Sequence, residues 1–468
     1  MSERERPKFR EHPVSFVLQL FGDVRPGEAG TVLLMTLDVF LILTAYYLLK
    51  VAREPLILLG GGAEVKSYAS FGQTILLVFV SMAYGWLAAR TSRMSLITSV
   101  TVFFISNLLL FWILGLRHAP IGVPFFLWVG IFNIVTIAQF WSFAADIYTE
   151  EQGKRLFPIV GIGSSVGAVG GAWLASPIVK HGTPFTLMIW AAVIFLVALG
   201  VTYLVHRREA PKEKAEQKEE PVASGNAFAM VLKDRYLLLF AGMVLALNFV
   251  TKTGDYVLDR MLVDAAPAHA LAQHVSQTAY IAQFKAHYFQ LINTIGVVLQ
   301  LFIVSRVIKY AGLRAALVLV PLASVGGYGM AFMMPLLTVL FIGRVVESSL
   351  DYSLSNTTQQ TLWLRTSREA KYKAKQVIDA FCRRGGDAIS AGMVWVGVHW
   401  ALGTRGFLAV NVAVTLAWIA LAWTIGKRFA STPDAQADAP VRVPRREVRR
   451  EADLPGRGIQ EPEEVPGE

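Results

Sequence analysis

The chain has 468 residues, 54% of them hydrophobic and only 17% charged, with a net charge of +10 and one cysteine. Soluble domains carry roughly 25% charged residues, so composition excludes a soluble globular enzyme, and the lone Cys382 excludes an intrachain disulfide or a cysteine-built zinc cluster. Apolar runs near the length of a bilayer crossing recur throughout, so the chain reads as an all-α, polytopic membrane protein.

The first residues, MSERERPKFREH, are polar and lead into no short apolar region with a cleavage site, so no cleaved signal peptide is expected. Twelve transmembrane helices are predicted at 31–59, 68–89, 95–116, 122–146, 156–179, 184–206, 236–257, 286–305, 313–333, 335–352, 376–401 and 406–426. Only Met334 and Pro335 divide the ninth from the tenth. Alternate loops are rich in cations: Arg90 and Arg93, then Lys154 and Arg155, then HRREAPKEKAEQKEEP, then Arg306, Lys309 and Arg314, then Arg365 to Lys375, then the tail from Lys427. The opposite side holds few, such as Arg117, Lys180, Arg260 and Arg405. This positive-inside bias places both termini in the cytoplasm and the chain in the cell's inner membrane. It also accounts for the net charge without a nucleic-acid partner. The division is then a cytoplasmic segment (1–30), a six-helix bundle (31–206), a cytoplasmic linker (207–235), a second six-helix bundle (236–426) and a disordered tail (427–468). Two pseudo-symmetric six-helix bundles with a site between them is a major facilitator-like layout.

Charges within the spans are expensive and therefore functional candidates. The first span carries Asp38, Lys50, Arg53 and Glu54, with Pro55 expected to bend it. The fourth carries Asn133, Gln139 and Asp146, and the seventh Asn248, Lys252 and Asp255. Arg344, Glu347 and Asp351 share one face of the tenth. The eleventh adds Asp379, Arg383, Arg384 and Asp387. Spans one, four, seven and ten are the innermost of the major facilitator arrangement. Lys50, Arg53, Glu54, Lys252, Asp255, Arg344, Glu347 and Arg384 are therefore the predicted substrate-binding set. The competing reading is that these charges pair and only lock helices together. Surplus cations in a low-dielectric cavity favour a multiply charged anion, and phosphate oxygens suit a guanidinium fork. Tyr46, Tyr47 and Trp141 are candidate walls for the rest of such a ligand.

Asp146 closes the fourth span, Lys154 and Arg155 follow, and Gly163, Gly167 and Gly171 then recur every four residues, a spacing that permits close helix packing. A looser counterpart in the second half comprises Asp351, the stretch SREAKYKAK and Arg384-Gly385-Gly386. Asp146, Lys154 and Arg155 with Asp351, Lys373 and Lys375 are the predicted gating set at the cytoplasmic mouth. The fragment GIGSSVG lacks the strand of a dinucleotide loop, and no P-loop or HExxH sequence occurs. No catalytic residue, metal site or cofactor is expected, and the chain is not read as an enzyme.

These residues also resemble the ATP/ADP translocase (nucleotide transporter) family, a relative of the major facilitators, and especially its bacterial members. The resemblance rests on Lys50-Val-Ala-Arg53-Glu54, on Asp146 eight residues before Lys154-Arg155 with Phe157 close behind, on Lys373-Ala-Lys375 with Ile378-Asp379, and on Arg384-Gly385-Gly386. It covers about residues 30–426. It implies exchange of ATP against ADP without hydrolysis, with cationic side chains meeting the phosphates. The chain departs from the family in the seventh span, where Asn248-Phe-Val is followed by Thr251 and Lys252 instead of a glutamate. That departure widens the candidate substrates to other phosphorylated or anionic solutes. The expected partners are a small anionic substrate of nucleotide type and the lipid bilayer, with no obligate protein partner. The alternatives are a proton-coupled transporter of another solute, using Asp38 or Glu347, and a non-transporting membrane sensor or scaffold.

Overall fold

The computed structural model describes residues 24–25, 27–209, 227–366, 370, 374–375 and 377–431, and among them all regular structure is helical. Most of the expected N-terminal segment, the middle of the linker, the tail beyond 431 and Lys373 lie outside the described residues.

Helix α1, Ala29–Ala88, has 60 residues and carries the first two predicted spans. Its backbone leaves helical values at Gly62 (φ 78°, ψ 179°), where the missing Cβ makes a positive φ accessible. Pro55, expected to bend the helix, keeps helical backbone angles, and the break in helical geometry falls at the glycine. Proline removes one hydrogen bond, whereas glycine readily adopts the positive φ that this break requires.

Helices α2 (Arg93–Leu116), α3 (Gly122–Ile147), α4 (Glu150–His181) and α5 (Pro184–Arg208) follow. Thr149 and Gln152 form a reciprocal capping box that starts α4. A short α6 (Ala227–Lys233) precedes α7 (Arg235–Ala272), whose first amides are held by the Asp234 carboxylate. Next come α8 (Gln277–Phe302) and α9 (Val304–Met333), the latter broken at Gly312 by the same positive-φ device. Helix α10 (Leu337–Leu350) runs into a π-turn at Asp351–Ser355 and then α11 (Asn356–Leu362). A second π-turn at Val377–Cys382 leads into α12 (Arg383–His399), and α13 (Thr404–Ser431) ends the described chain.

Eight of the described helices are long and apolar enough to cross a membrane by length and composition. One of the eight is α1, which holds two spans. Large apolar side chains such as Phe79, Trp86, Leu196 and Trp395 point outward, as a lipid-facing surface requires.

Helix α1 packs on α3, α4 and α5, while α7 packs on α12 and α13, and α9 on α10 and α13. The close approach of α4 to α1 depends on the predicted glycine repeat. A Cβ at Gly163 would overlap the Thr36 carbonyl, one at Gly167 would lie 2.5 Å from the Phe40 oxygen, and one at Gly171 2.7 Å from the Thr44 oxygen. The first and second halves meet where α1 touches α7, α8 and α12 and where α4 touches α8. There the Tyr47 hydroxyl donates to Asn293 at 3.0 Å and the Trp173 indole donates to Thr294 at 3.1 Å.

Candidate substrate cavity

Where the halves meet, α1, α7, α8, α10 and α12 enclose a cavity of about 370 Å³. Its wall holds seven cations (Lys50, Arg53, Lys66, Lys252, Lys285, Arg344, Arg383) and five carboxylates (Glu54, Asp255, Asp259, Asp351, Asp387). Lys50, Arg53 and Glu54 reach it because a helix returns to the same face every three to four residues.

Four of these charges form a buried ring. Lys66 lies 2.5 Å from Glu54 and 2.6 Å from Asp259. Lys285 donates to the other Asp259 oxygen and stands 3.7 Å from Glu54. Glu54 and Lys66 come from α1, Asp259 from α7 and Lys285 from α8, so the ring stitches the two halves together. Arg53 adds a 3.3 Å contact to Glu54 and stacks its guanidinium over Phe126 at 4.6 Å.

A second group anchors Arg344, which is 1% exposed. Arg344 lies 2.5 Å from Asp255 and 2.6 Å from Glu347, and the Tyr328 hydroxyl donates to Glu347 at 2.6 Å. Glu347 does not line the cavity but holds Arg344 from behind.

Two cations stand apart. The Lys50 ammonium lies over the rings of Phe289 (4.3 Å) and Tyr47 (4.9 Å). Among the described residues neither Lys50 nor Lys252 forms an ion pair, and both line the cavity.

Six of the eight predicted substrate residues therefore share one wall: Lys50, Arg53, Glu54, Lys252, Asp255 and Arg344. Arg384 does not. Its side chain is 38% exposed and lies 3.5 Å from Asp387, while Arg383 lines the cavity instead. The preceding π-turn sets this register, since a π-turn carries an extra residue per turn and rotates everything that follows. Asp351, expected at the gate, belongs to the cavity wall because it lies seven residues after Arg344 on the same helical face, at the start of the other π-turn.

The remaining gating candidates lie elsewhere. Asp146 is 3.6 Å from Arg93, and Arg155 is 3.0 Å from Glu28 at the start of α1. Lys154 is on the first turns of α4, and Lys375 donates to Gln360 at 2.9 Å. Burial opposes ionisation of Glu28, but hydrogen bonds from Arg155, the Arg25 amide and Gln152 outweigh it and hold the carboxyl down at about 2.

Sequence reasoning does not single out Lys66, Asp259 or Lys285. Lys66 falls in the expected loop between the first two spans, and Asp259 and Lys285 lie just outside the expected ends of the seventh and eighth. The signal that could have found one of them is Asp255 and Asp259 at i, i+4 on a single helix face.

A second chamber of about 610 Å³ adjoins the first, sharing Tyr46, Lys50, Ile292 and Tyr352 with it. Apart from Lys50 its polar lining is neutral: tyrosine hydroxyls, Ser164, Ser165 and the amides of Asn133, Asn293, Gln300 and Asn356. Tyr46 and Tyr47 are part of this wall as expected. Trp141 is not, because it packs edge-on against Phe157 at 5.5 Å. Gly163-Ser164-Ser165-Val166-Gly167 has the spacing of a nucleophile elbow, but it lies inside α4 and not on a strand-to-helix turn.

Residues 29–376 match the sequence pattern of the Major Facilitator Superfamily. Among curated proteins, the chain is 22% identical to ADP,ATP carrier protein 1 of Chlamydia trachomatis, over 65% of this chain and 64% of that one. It is 22% identical to ADP,ATP carrier protein 2 of Chlamydia pneumoniae, over 86% of this chain and 88% of that one. The chain thus spans just under two thirds of the first relative's length and most of the second's. Among solved structures, the nucleoside transporter NupG superposes with a TM-score of 0.62 at 14% identity, over 85% of this chain and 99% of that one. A bacterial homologue of the human lysosomal transporter Spinster superposes with a TM-score of 0.58 at 15% identity, over 88% and 99%. A helical membrane fold with a charged cavity between its halves and a superfamily match over most of its length together make this multi-pass transporter a member of the Major Facilitator Superfamily.

Proposed function

We propose that the protein is a secondary transporter that moves a phosphorylated organic anion, of ATP/ADP type, by alternating access through the central cavity. The observation that carries this is the pair Lys50 and Lys252, two cations that face the cavity with no carboxylate partner among the described residues. Desolvated charges of one sign attract a ligand of the other, and phosphate supplies several acceptor oxygens per group. The adjoining neutral chamber, with its hydroxyls, amides and tyrosine rings, is suited to a sugar and a base. The resemblance of the chain to ADP,ATP carriers supports a ligand of this class.

In this reading Lys50, Arg53 and Lys252 meet the anion, Arg344 is held in place by Asp255 and Glu347, and Arg383 replaces Arg384 in the set. A phosphate arriving beside Arg53 competes with Glu54 and Asp259 for Lys66 and Lys285. Binding would thus loosen the ring that closes the cavity at the Gly62 end. The two moving bodies are the bundles 31–206 and 236–426, with both termini cytoplasmic and the chain in the inner membrane. Asp146, Lys154 and Arg155 sit at the opposite mouth and are the proposed gate there.

The test is uptake by vesicles holding the purified protein, preloaded with an internal counter-substrate, across a panel of nucleotides and phosphorylated metabolites. Exchange should need the internal anion and no pH gradient. Lys50→Ala with Lys252→Ala should abolish binding while leaving the fold intact. Arg53→Lys should recover only part of the activity lost in Arg53→Ala, because it keeps the charge and loses the fork. Unchanged anion binding in the double variant would sink the proposal.

A further inference from the structure

Away from the central cavity, inside the first half, Asp38 is 1% exposed. One of its oxygens accepts from the Thr202 hydroxyl at 2.8 Å, and the other, Oδ1, has no hydrogen-bond partner. Gln139, 7% exposed, has its Oε1 unpartnered as well. Both side chains line a small void of about 30 Å³ enclosed by α1, α2, α3 and α5. Thr101, Thr136 and Thr202 add three hydroxyls to its wall, and the rest is apolar: Ile42 and Ile97, Phe140, Phe143 and Phe195, Ala198 and Leu199. Among the described residues, no charged or titratable side chain other than Asp38 faces the void from any of these helices.

A carboxylate buried in a membrane bundle with no ion-pair partner is costly. Three occupants could relieve the two orphan acceptors. A water molecule would hydrogen-bond both but leave the negative charge uncompensated. A small monovalent cation, either a sodium ion or a proton, satisfies the oxygens and cancels the charge. Hard cations take oxygen ligands of the carboxylate, amide and hydroxyl types found here. The void is of the size that one water or one small ion fills.

We propose that the Asp38–Gln139–Thr202 pocket is a monovalent-cation site of the N-terminal bundle, distinct from the anion cavity. Because α1 carries both Asp38 and the Lys50–Glu54 segment, a cation bound here acts on the same helix that meets the substrate.

The experiment is thermal unfolding of the purified full chain in detergent, titrated with sodium chloride against choline chloride at constant ionic strength. Infrared difference spectra across pH, recorded in parallel, detect a protonated buried carboxyl. A saturable rise in midpoint with sodium, lost in Asp38→Asn, assigns the site to sodium. Gln139→Leu should then raise the half-saturating concentration about tenfold, and it keeps the test alive if Asp38→Asn does not fold. A protonated-carboxyl band that vanishes in Asp38→Asn, with no sodium effect, assigns it to a proton. Lys50→Ala should leave either signal in place, separating this site from the central cavity. The proposal is overturned if neither signal is found, or if the signal found survives both Asp38→Asn and Gln139→Leu.

Discussion

The two ends of the first span of α1, near Glu28 and near Gly62, are charged in different ways. At the Gly62 end, Glu54, Lys66, Asp259 and Lys285 share their ionic contacts across the two halves, and each side chain is 14% exposed or less. Nearby, the Tyr256 hydroxyl donates to Glu64 at 2.9 Å, a second link between the halves. At the Glu28 end, the contacts of Arg155 with Glu28 and of Arg93 with Asp146 join neighbours within the first half. Arg25 and Glu151 do the same in the open, at 54% and 69% exposure. The named contacts at the first end cross between the halves, and those named at the second join neighbours within one half. In the proposed cycle, opening the Gly62 end would require a ligand to compete for this network.

The largest effect expected from breaking this contrast is at Lys285. Lys285→Ala leaves two buried carboxylates sharing one lysine, and such a loss costs about 3–5 kcal/mol. Chemical unfolding in detergent measures it, and a loss no greater than that of Arg155→Ala would erase the distinction between the two ends. A labelling experiment sharpens the same point. With Cys382→Ser as background, Ser67→Cys beside the ring should react slowly with an impermeant thiol reagent, and Asp259→Asn should raise that rate several-fold. An unchanged rate would mean that the ring is not what closes this end.

Gly167→Leu is next in size. The added side chain meets the Phe40 backbone, which cannot yield as a flexible side chain would. Overpacking of this kind costs about 1–3 kcal/mol, and it should lower the yield of monodisperse protein at either end of the transport cycle. A variant as stable as the parent would show the glycine repeat to be incidental.

Arg155→Ala should cost less, about 1.5 kcal/mol, the low end for hydrogen bonds to a charged group, since it removes two bonds to Glu28 but bridges only neighbours of one half. The smallest effect is its pH dependence. Glu28 is held down from an ordinary 4.5 to about 2. Its contribution is therefore complete above pH 4.5 and is lost as pH falls from there towards 2. Glu28→Gln should flatten the stability profile in that window and lower it by a constant amount above pH 4.5, where the contribution it removes is complete. An identical slope in the variant would remove Glu28 from the reinforcement of its own end.

Much of the cavity wall is legible in the amino-acid sequence. Lys50, Arg53 and Glu54 are conspicuous because charge in an apolar run is costly, and helical spacing places Lys252 and Asp255 on one face. The residues that sequence reasoning overlooks have specific physical causes. Lys66 reads as a loop residue because Gly60-Gly61-Gly62 looks like a helix terminator, yet the helix resumes after one non-helical residue. Arg384 is favoured over Arg383 by the resemblance, through its place beside Gly385-Gly386, but the π-turn at Val377–Cys382 sets the helical register, and a π-turn leaves no mark in hydrophobic periodicity.

The sequence alone determined that the chain is a bundle of membrane helices, where most of those helices run, and that the first, seventh and tenth carry charge inward. Those properties follow from local composition and from a period of about 3.6 residues, both of which can be read along a single segment. Only the tertiary structure decided which charges meet. Lys66 and Asp259 are 193 residues apart in sequence and 2.6 Å apart in space. Whether a buried cation is neutralised or left to attract a ligand depends on helix packing and on the rotation each break and π-turn imposes. Asp38 in its oxygen-lined pocket, and Lys50 facing aromatic rings instead of a carboxylate, owe their properties to that geometry.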